Sequence, residues 1–174
     1  MKNLLSFCFI LLMGLSVSSC SIGDLQDFLK DPKKSIDDRE MFQAFLRSSE
    51  EVSPNPVVSN ATGETMLHLS KDGMSLSYKL SVRNIQNIVG AHLHLGARGV
   101  NGPIVVGLLP MGANLTGPQN GMIAEGTITK ANLVGPLAGM ELSDLVREMK
   151  AGRIYVNVHT TQYPAGEIRG QVHQ

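Results

Sequence analysis

Three histidines carry the chemistry that this sequence can offer. Ala91-His92-Leu93-His94 places two imidazoles two residues apart, and His159 follows far down the chain in Val156-Asn157-Val158-His159. In a strand, residues i and i+2 share a face with Cβ atoms about 7 Å apart, so both rings reach a single ion. A third imidazole from a neighbouring strand completes a cap of three neutral nitrogens. That donor set suits a borderline cation, and the Irving–Williams order places Cu(II) ahead of Zn(II). A histidine pair on an exposed strand is equally what solvated, hydrogen-bonded side chains look like, so the metal reading requires the two strands to be neighbours. His68 sits on the polar side of its segment as a spare ligand, and His173 is close to the C-terminus.

Other chemistries find no support. No Gly-x-Ser-x-Gly elbow is present, and the only cysteines are Cys8 and Cys20, both near the N-terminus, so a hydrolase has no nucleophile. Gly96, Gly99 and Gly102 are spaced like a phosphate loop but lie between two strands, with no helix to present its amides to a phosphate. Glu167 and Arg169 share a strand face and are expected to form a cross-strand ion pair on a solvated surface. Beside a metal, Arg169 would instead draw in a small anion, with Arg153 and Arg98 as further cations and Tyr155 and Asn157 orienting the ligands.

The elements that must position these residues are strands. Short apolar runs broken by glycine, proline and asparagine predict strands over 41–47, 64–70, 75–82, 88–95, 104–109, 123–129, 153–159 and 167–172. Lys71-Asp72-Gly73 predicts a hairpin, since aspartate and glycine tolerate positive φ. Alternation assigns Val89, Ala91, Leu93 and Leu95 to the core face of one strand and Ile154, Val156 and Val158 to that of another. Arg153, Tyr155, Asn157 and His159 then point outward. Leu142, Leu145, Val146 and Met149 recur at helical spacing, with Ser143 as N-cap and Gly152 as terminator. The expectation is an all-β fold, an antiparallel Greek-key-like β-sandwich or barrel with one short helix before the penultimate strand.

The remainder of the chain concerns location. Lys2 followed by an apolar run over 4–17 reads as an export signal; about 21 Å of helix falls short of a bilayer core of about 30 Å. Val17-Ser18-Ser19-Cys20 resembles a bacterial lipoprotein motif, which implies a signal peptide over 1–19, lipidation of Cys20 and membrane attachment. Ser21 resembles the outer-membrane sorting pattern, which implies a site in the cell envelope facing the periplasm. Residues 20–41 read as a charged tether with a short helical turn at 25–29, and 42–174 as the folded domain. With 15 basic and 15 acidic residues among 174, the chain lacks the charge that drives nucleic-acid binding.

Phe42-Gln43-Ala44 with Glu50-Glu51-Val52, Gly90-Ala91-His92-Leu93-His94-Leu95-Gly96 with Gly102-Pro103-Ile104-Val105-Val106, and residues 151–160 followed by Gly166-Glu167-Ile168-Arg169-Gly170-Gln171 together resemble the chordin-type CHRD domain over about 42–172. Consecutive prolines are usual in the family where this chain has Ser53-Pro54. The arrangement of His92, His94 and His159 is also similar to the copper side of Cu/Zn superoxide dismutase. That enzyme's bridging histidine, zinc ligands and disulfide have no counterpart here. The resemblance implies a single copper ion, with zinc as the alternative, and a cell-envelope lipoprotein that dismutes superoxide with Arg169 as the anion-attracting catalytic residue. The alternative is a non-catalytic envelope module for binding or metal storage, whose protein partner the sequence does not name.

Overall fold

A computed structural model describes residues 40–110 and 112–174. The expected signal peptide over 1–19, the expected lipid site at Cys20, and the part of the expected tether up to residue 39 with its helical turn lie outside them. The elements are β1 (Met41–Arg47), β2 (Thr62–Leu69), β3 (Leu76–Leu95), β4 (Ile104–Gly107), β5 (Leu115–Ile128), α1 (Leu142–Lys150), β6 (Ile154–Thr160) and β7 (Ile168–Gln171). Every strand pairing among them is antiparallel. The expected all-β class with one helix before the penultimate strand is the one observed.

One long strand closes the structure. The first half of β3 pairs with β2 and its second half with β6, while β2, β1, β7 and β6 follow one another side by side. These five strands form a closed barrel, which leaves the ring no unpaired edge. On its other side β3 carries β5 and, near its end, β4. The sequence predicts two strands where the chain makes one, because Asn84-Ile85-Gln86-Asn87 reads as a break. Asn84 and Asn87 do adopt positive φ, 55° and 53°, but as bulges inside a continuing strand. Side-chain amides repair the ladder there. Asn87 Oδ1 accepts the Gly117 N–H at 2.8 Å, and Asn120 Oδ1 accepts the Asn84 N–H at 3.0 Å. The same punctuation hides the first half of β5, which begins at Leu115 rather than 123 and runs through Gly117, Pro118 and Gly121.

The bulges also correct one face. Register slips between Ile88 and Gly90, so Ile88 enters the core at 0% exposure and Val89, expected inside, is 38% exposed. Beyond the slip the alternation holds, with Ala91 and Leu93 buried against Val156 and Val158. The Lys71-Asp72-Gly73 hairpin forms as expected: Gly73 has φ 70°, and Asp72 Oδ1 accepts the Met74 N–H at 2.9 Å.

Helix α1 buries Leu142, Leu145, Val146 and Met149 in the shared core. Its N-cap is Glu141 rather than Ser143, which lies inside the first turn. The Glu141 N–H donates to Asp144 Oδ2 at 3.0 Å, meeting one of the orphan donors of the helix start. Gly152 follows the C-cap with φ 66°, as its predicted terminating role demands.

Candidate metal centre

The β3–β6 register brings the three histidines together. Gly90 is opposite His159, His92 opposite Asn157 and His94 opposite Tyr155, so all six positions lie on the face away from the apolar core. Ring centroids are 4.9 Å apart for His92 and His159, 5.7 Å for His92 and His94, and 5.9 Å for His94 and His159. One nitrogen from each ring lies within 4.8 Å of the other two. Gly90 makes the approach feasible, because a Cβ there would meet His92 Cε1 at 3.0 Å and His159 Cδ2 at 3.7 Å. His68 and His173 belong to other faces, paired in register with Met41 and Gln43, and stay outside the cluster.

Backbone carbonyls choose the tautomers. His94 Nδ1 lies 2.9 Å from the Gly102 carbonyl oxygen and His159 Nδ1 lies 3.0 Å from that of Pro164. A carbonyl only accepts, so each Nδ1 carries the proton and each Nε2 is left with a bare lone pair. Those two Nε2 atoms, together with His92 Nδ1, are buried and have no hydrogen-bond partner. Three orphaned nitrogens converging in one place is an expensive arrangement for a protein unless a ligand meets them.

Their electrostatics favour the same chemistry. Burial pushes the His92 imidazole down to about 4, helped by the neighbouring His159 and His94. Burial also lowers His94 and His159, against the opposing pull of the Gly102 and Pro164 carbonyls. All three rings are therefore neutral at pH 7, the form in which imidazole binds a metal. The donor set can hold one metal ion.

Around the triad the expectation of a solvated face fails. Tyr155 and Asn157 are 3% exposed, Arg169 2% and Glu167 6%. Two segments cover them, the stretch 48–61 and the loop 96–103, neither of which carries a periodic signal in sequence. Arg169 is not open to a small anion. Its Nη1 donates to Asn101 Oδ1 at 3.0 Å, its Nη2 donates to the carbonyls of Ala97 at 3.1 Å and Val100 at 2.8 Å, and its guanidinium carbon lies 3.5 Å from the Tyr155 ring centroid. Nor does it pair with Glu167, whose carboxylate accepts from Ser59 Oγ at 2.6 Å and Thr160 Oγ1 at 2.7 Å. Of the other two expected cations, Arg98 pairs with Glu50 and Arg153 with Glu148. Tyr155, expected to orient ligands, stacks on His94 at 4.8 Å and 11°.

Sequence reasoning missed three participants. Gly102 and Pro164 act through main-chain carbonyls, which leave no residue-type signature. Glu51 reaches Asn157 Nδ2 from the covering segment, and burial raises its carboxyl to about 7 despite that hydrogen bond and the nearby Arg169.

No curated protein and no solved structure gives a significant match to this chain. The sequence profile of the CHRD domain, by contrast, matches residues 42–172, a span from β1 through β7 that contains all three histidines and both loops whose carbonyls orient two of them. The chain belongs to the CHRD domain family.

Proposed function

We propose that this domain binds a single copper ion through His92 Nδ1, His94 Nε2 and His159 Nε2, with zinc as the competing cation. The observation that carries the reading is the convergence of three buried nitrogens without partners, two of them with their tautomer set by a carbonyl. Bound copper would supply one-electron chemistry between Cu(II) and Cu(I). The chain's own part is to present neutral lone pairs, to hold two rings by their Nδ1–H groups and to seal the inner side with apolar packing. The lipoprotein-like segment ending at Cys20 supports an envelope protein held to the membrane by a lipid and facing the periplasm.

Superoxide dismutation is the second reading, favoured because the His92 and His159 side chains remain partly exposed although their donor nitrogens are buried. Against turnover stand the engaged cations: Arg169 is buried, and Arg98 and Arg153 are each paired with a carboxylate. Metal storage or transfer needs none of them free.

The deciding experiment titrates the full chain with Cu(II) and Zn(II), measures bound metal per chain, and then follows superoxide decay. One copper per chain, lost in each of His92→Ala, His94→Ala and His159→Ala, supports the proposal. Metal content unchanged by all three replacements removes it. Stoichiometric copper without accelerated superoxide decay selects storage or transfer over dismutation.

A further inference from the structure

We propose that Arg169 is a positioning residue for the metal centre, acting through the loop 96–103: it fixes the Gly102 carbonyl that selects the tautomer of His94. The consequence for metal rests on the copper-binding reading above, whereas the tautomer is a property of the metal-free chain.

Apart from its charge, which disfavours the protonated ring, Arg169 does not reach His94: no hydrogen bond joins the two. It lies on β7, opposite Asn157 of β6, and β6 separates it from β3. What it reaches is the loop. Its three acceptors, the Ala97 and Val100 carbonyls and the Asn101 amide oxygen, lie within five consecutive residues that end immediately before Gly102. A planar guanidinium with donors in fixed directions holds three such acceptors in one geometry, which a lysine ammonium cannot do.

Gly102 is then gripped from its other side. Its N–H donates to the Tyr155 hydroxyl at 3.1 Å, and the Pro103 carbonyl accepts the Leu95 N–H at 2.9 Å. With both flanks held, the Gly102 carbonyl is aimed at His94 Nδ1. Tyr155 ties the assembly together, stacked on His94 and covered by the Arg169 guanidinium. Any residue larger than glycine at 102 would drive its Cβ into the Leu95 carbonyl, so the loop passes hard against the end of β3 at this point.

A buried arginine is a costly way to close a loop. Among the described residues Arg169 makes no ion pair, and a well-packed apolar side chain would fill the same volume at lower cost in desolvation. Apolar packing, however, leaves the loop carbonyls without donors and the Gly102 carbonyl free to turn. The fork that holds them is therefore assigned to the ligand it orients.

His159 supplies an internal control, because its Nδ1–H goes to Pro164 in a different loop. The test is a long-range proton–nitrogen correlation spectrum of the full-length, metal-free chain, which separates protonated from bare ring nitrogens. His94 should carry its proton on Nδ1 in the parent chain. In Arg169→Gln, and more mildly in Asn101→Ala, His94 should become a mixture of tautomers while His159 stays unchanged. The same variants should weaken Cu(II) about 10- to 100-fold and alter its electron paramagnetic resonance spectrum, and Arg169→Lys should not restore either. The proposal is overturned if the parent His94 has a bare Nδ1, or if its tautomer survives in a folded Arg169→Gln or Asn101→Ala chain. Failure of the parent chain to take up copper would sink the metal reading alone, since the tautomer measurement needs no metal.

Discussion

His92 on β3 and His159 on β6 lie with their rings 4.9 Å apart, although β4, β5 and α1 intervene between them in sequence. The position opposite His159 is Gly90, and that empty place is what lets the His92 ring lean toward its partner. The relationship separates the site's needs from the fold's and makes one substitution especially informative.

Gly90→Ala should leave stability within about 1 kcal/mol of the parent, because the new Cβ meets only side-chain ends, the His92 ring closely and His159 Cδ2 at an ordinary van der Waals distance. Copper affinity should fall about tenfold or more as His92 turns aside. Thermal melting and metal competition on the same sample check both halves, and equal copper affinity in the two chains would show that the ring has room to spare.

Gly102→Ala should have the opposite character. Its Cβ would collide with main chain, the Leu95 carbonyl oxygen, which cannot swing away as a side chain can. A loss of about 3 kcal/mol or more is expected by denaturant titration. A variant as stable as the parent would mean that the loop has a second way to close.

Tyr155 separates ring from hydroxyl. Tyr155→Phe deletes the acceptor of the Gly102 N–H and should cost about 1 kcal/mol. Tyr155→Leu removes the ring between His94 and Arg169 as well and should cost about 3 kcal/mol. The difference in unfolding free energy between the two variants measures the stack, and no difference would assign the whole effect to the hydroxyl.

Glu51 predicts the pH dependence of folding. Burial raises its carboxyl from 4.5 to about 7, so between these values the folded chain binds more protons than the unfolded one. Its contribution is therefore fully present below about pH 4.5 and is lost as pH rises through 7. The size is about 1 to 2 kcal/mol once the partial exposure of the group is allowed for. In Glu51→Gln this part of the slope should vanish. A pH profile parallel to that of the parent would show that the carboxyl titrates normally.

Much of the architecture was legible because alternation and turn chemistry are local. β1 was predicted to the residue, and the Asp72-Gly73 turn and the apolar stripe of α1 appeared where their patterns placed them. Prediction failed where a local sign has two meanings. Asn84 and Asn87 look like the end of a strand and instead build bulges within β3, and Gly117, Pro118 and Gly121 do the same to β5. The polar face of β6 and β7 reads as solvated because Tyr, Asn and Arg alternate with Val and Ile. What buries it is the segment 48–61, through side chains such as Glu51 and Ser59, and the carbonyls of the loop 96–103, and the sequence does not say where such segments go.

By itself the sequence determined the strand faces beyond the slip at Val89, and with them that His92, His94 and His159 point away from the apolar core, since a period of two needs only neighbours in the chain. The tertiary structure alone decided that β3 and β6 lie side by side, that Gly102 and Pro164 turn their carbonyls onto two of the rings, and that Arg169 holds a loop rather than facing solvent. Those outcomes depend on the closure of the barrel, where register between distant strands is set by the packing of the whole core.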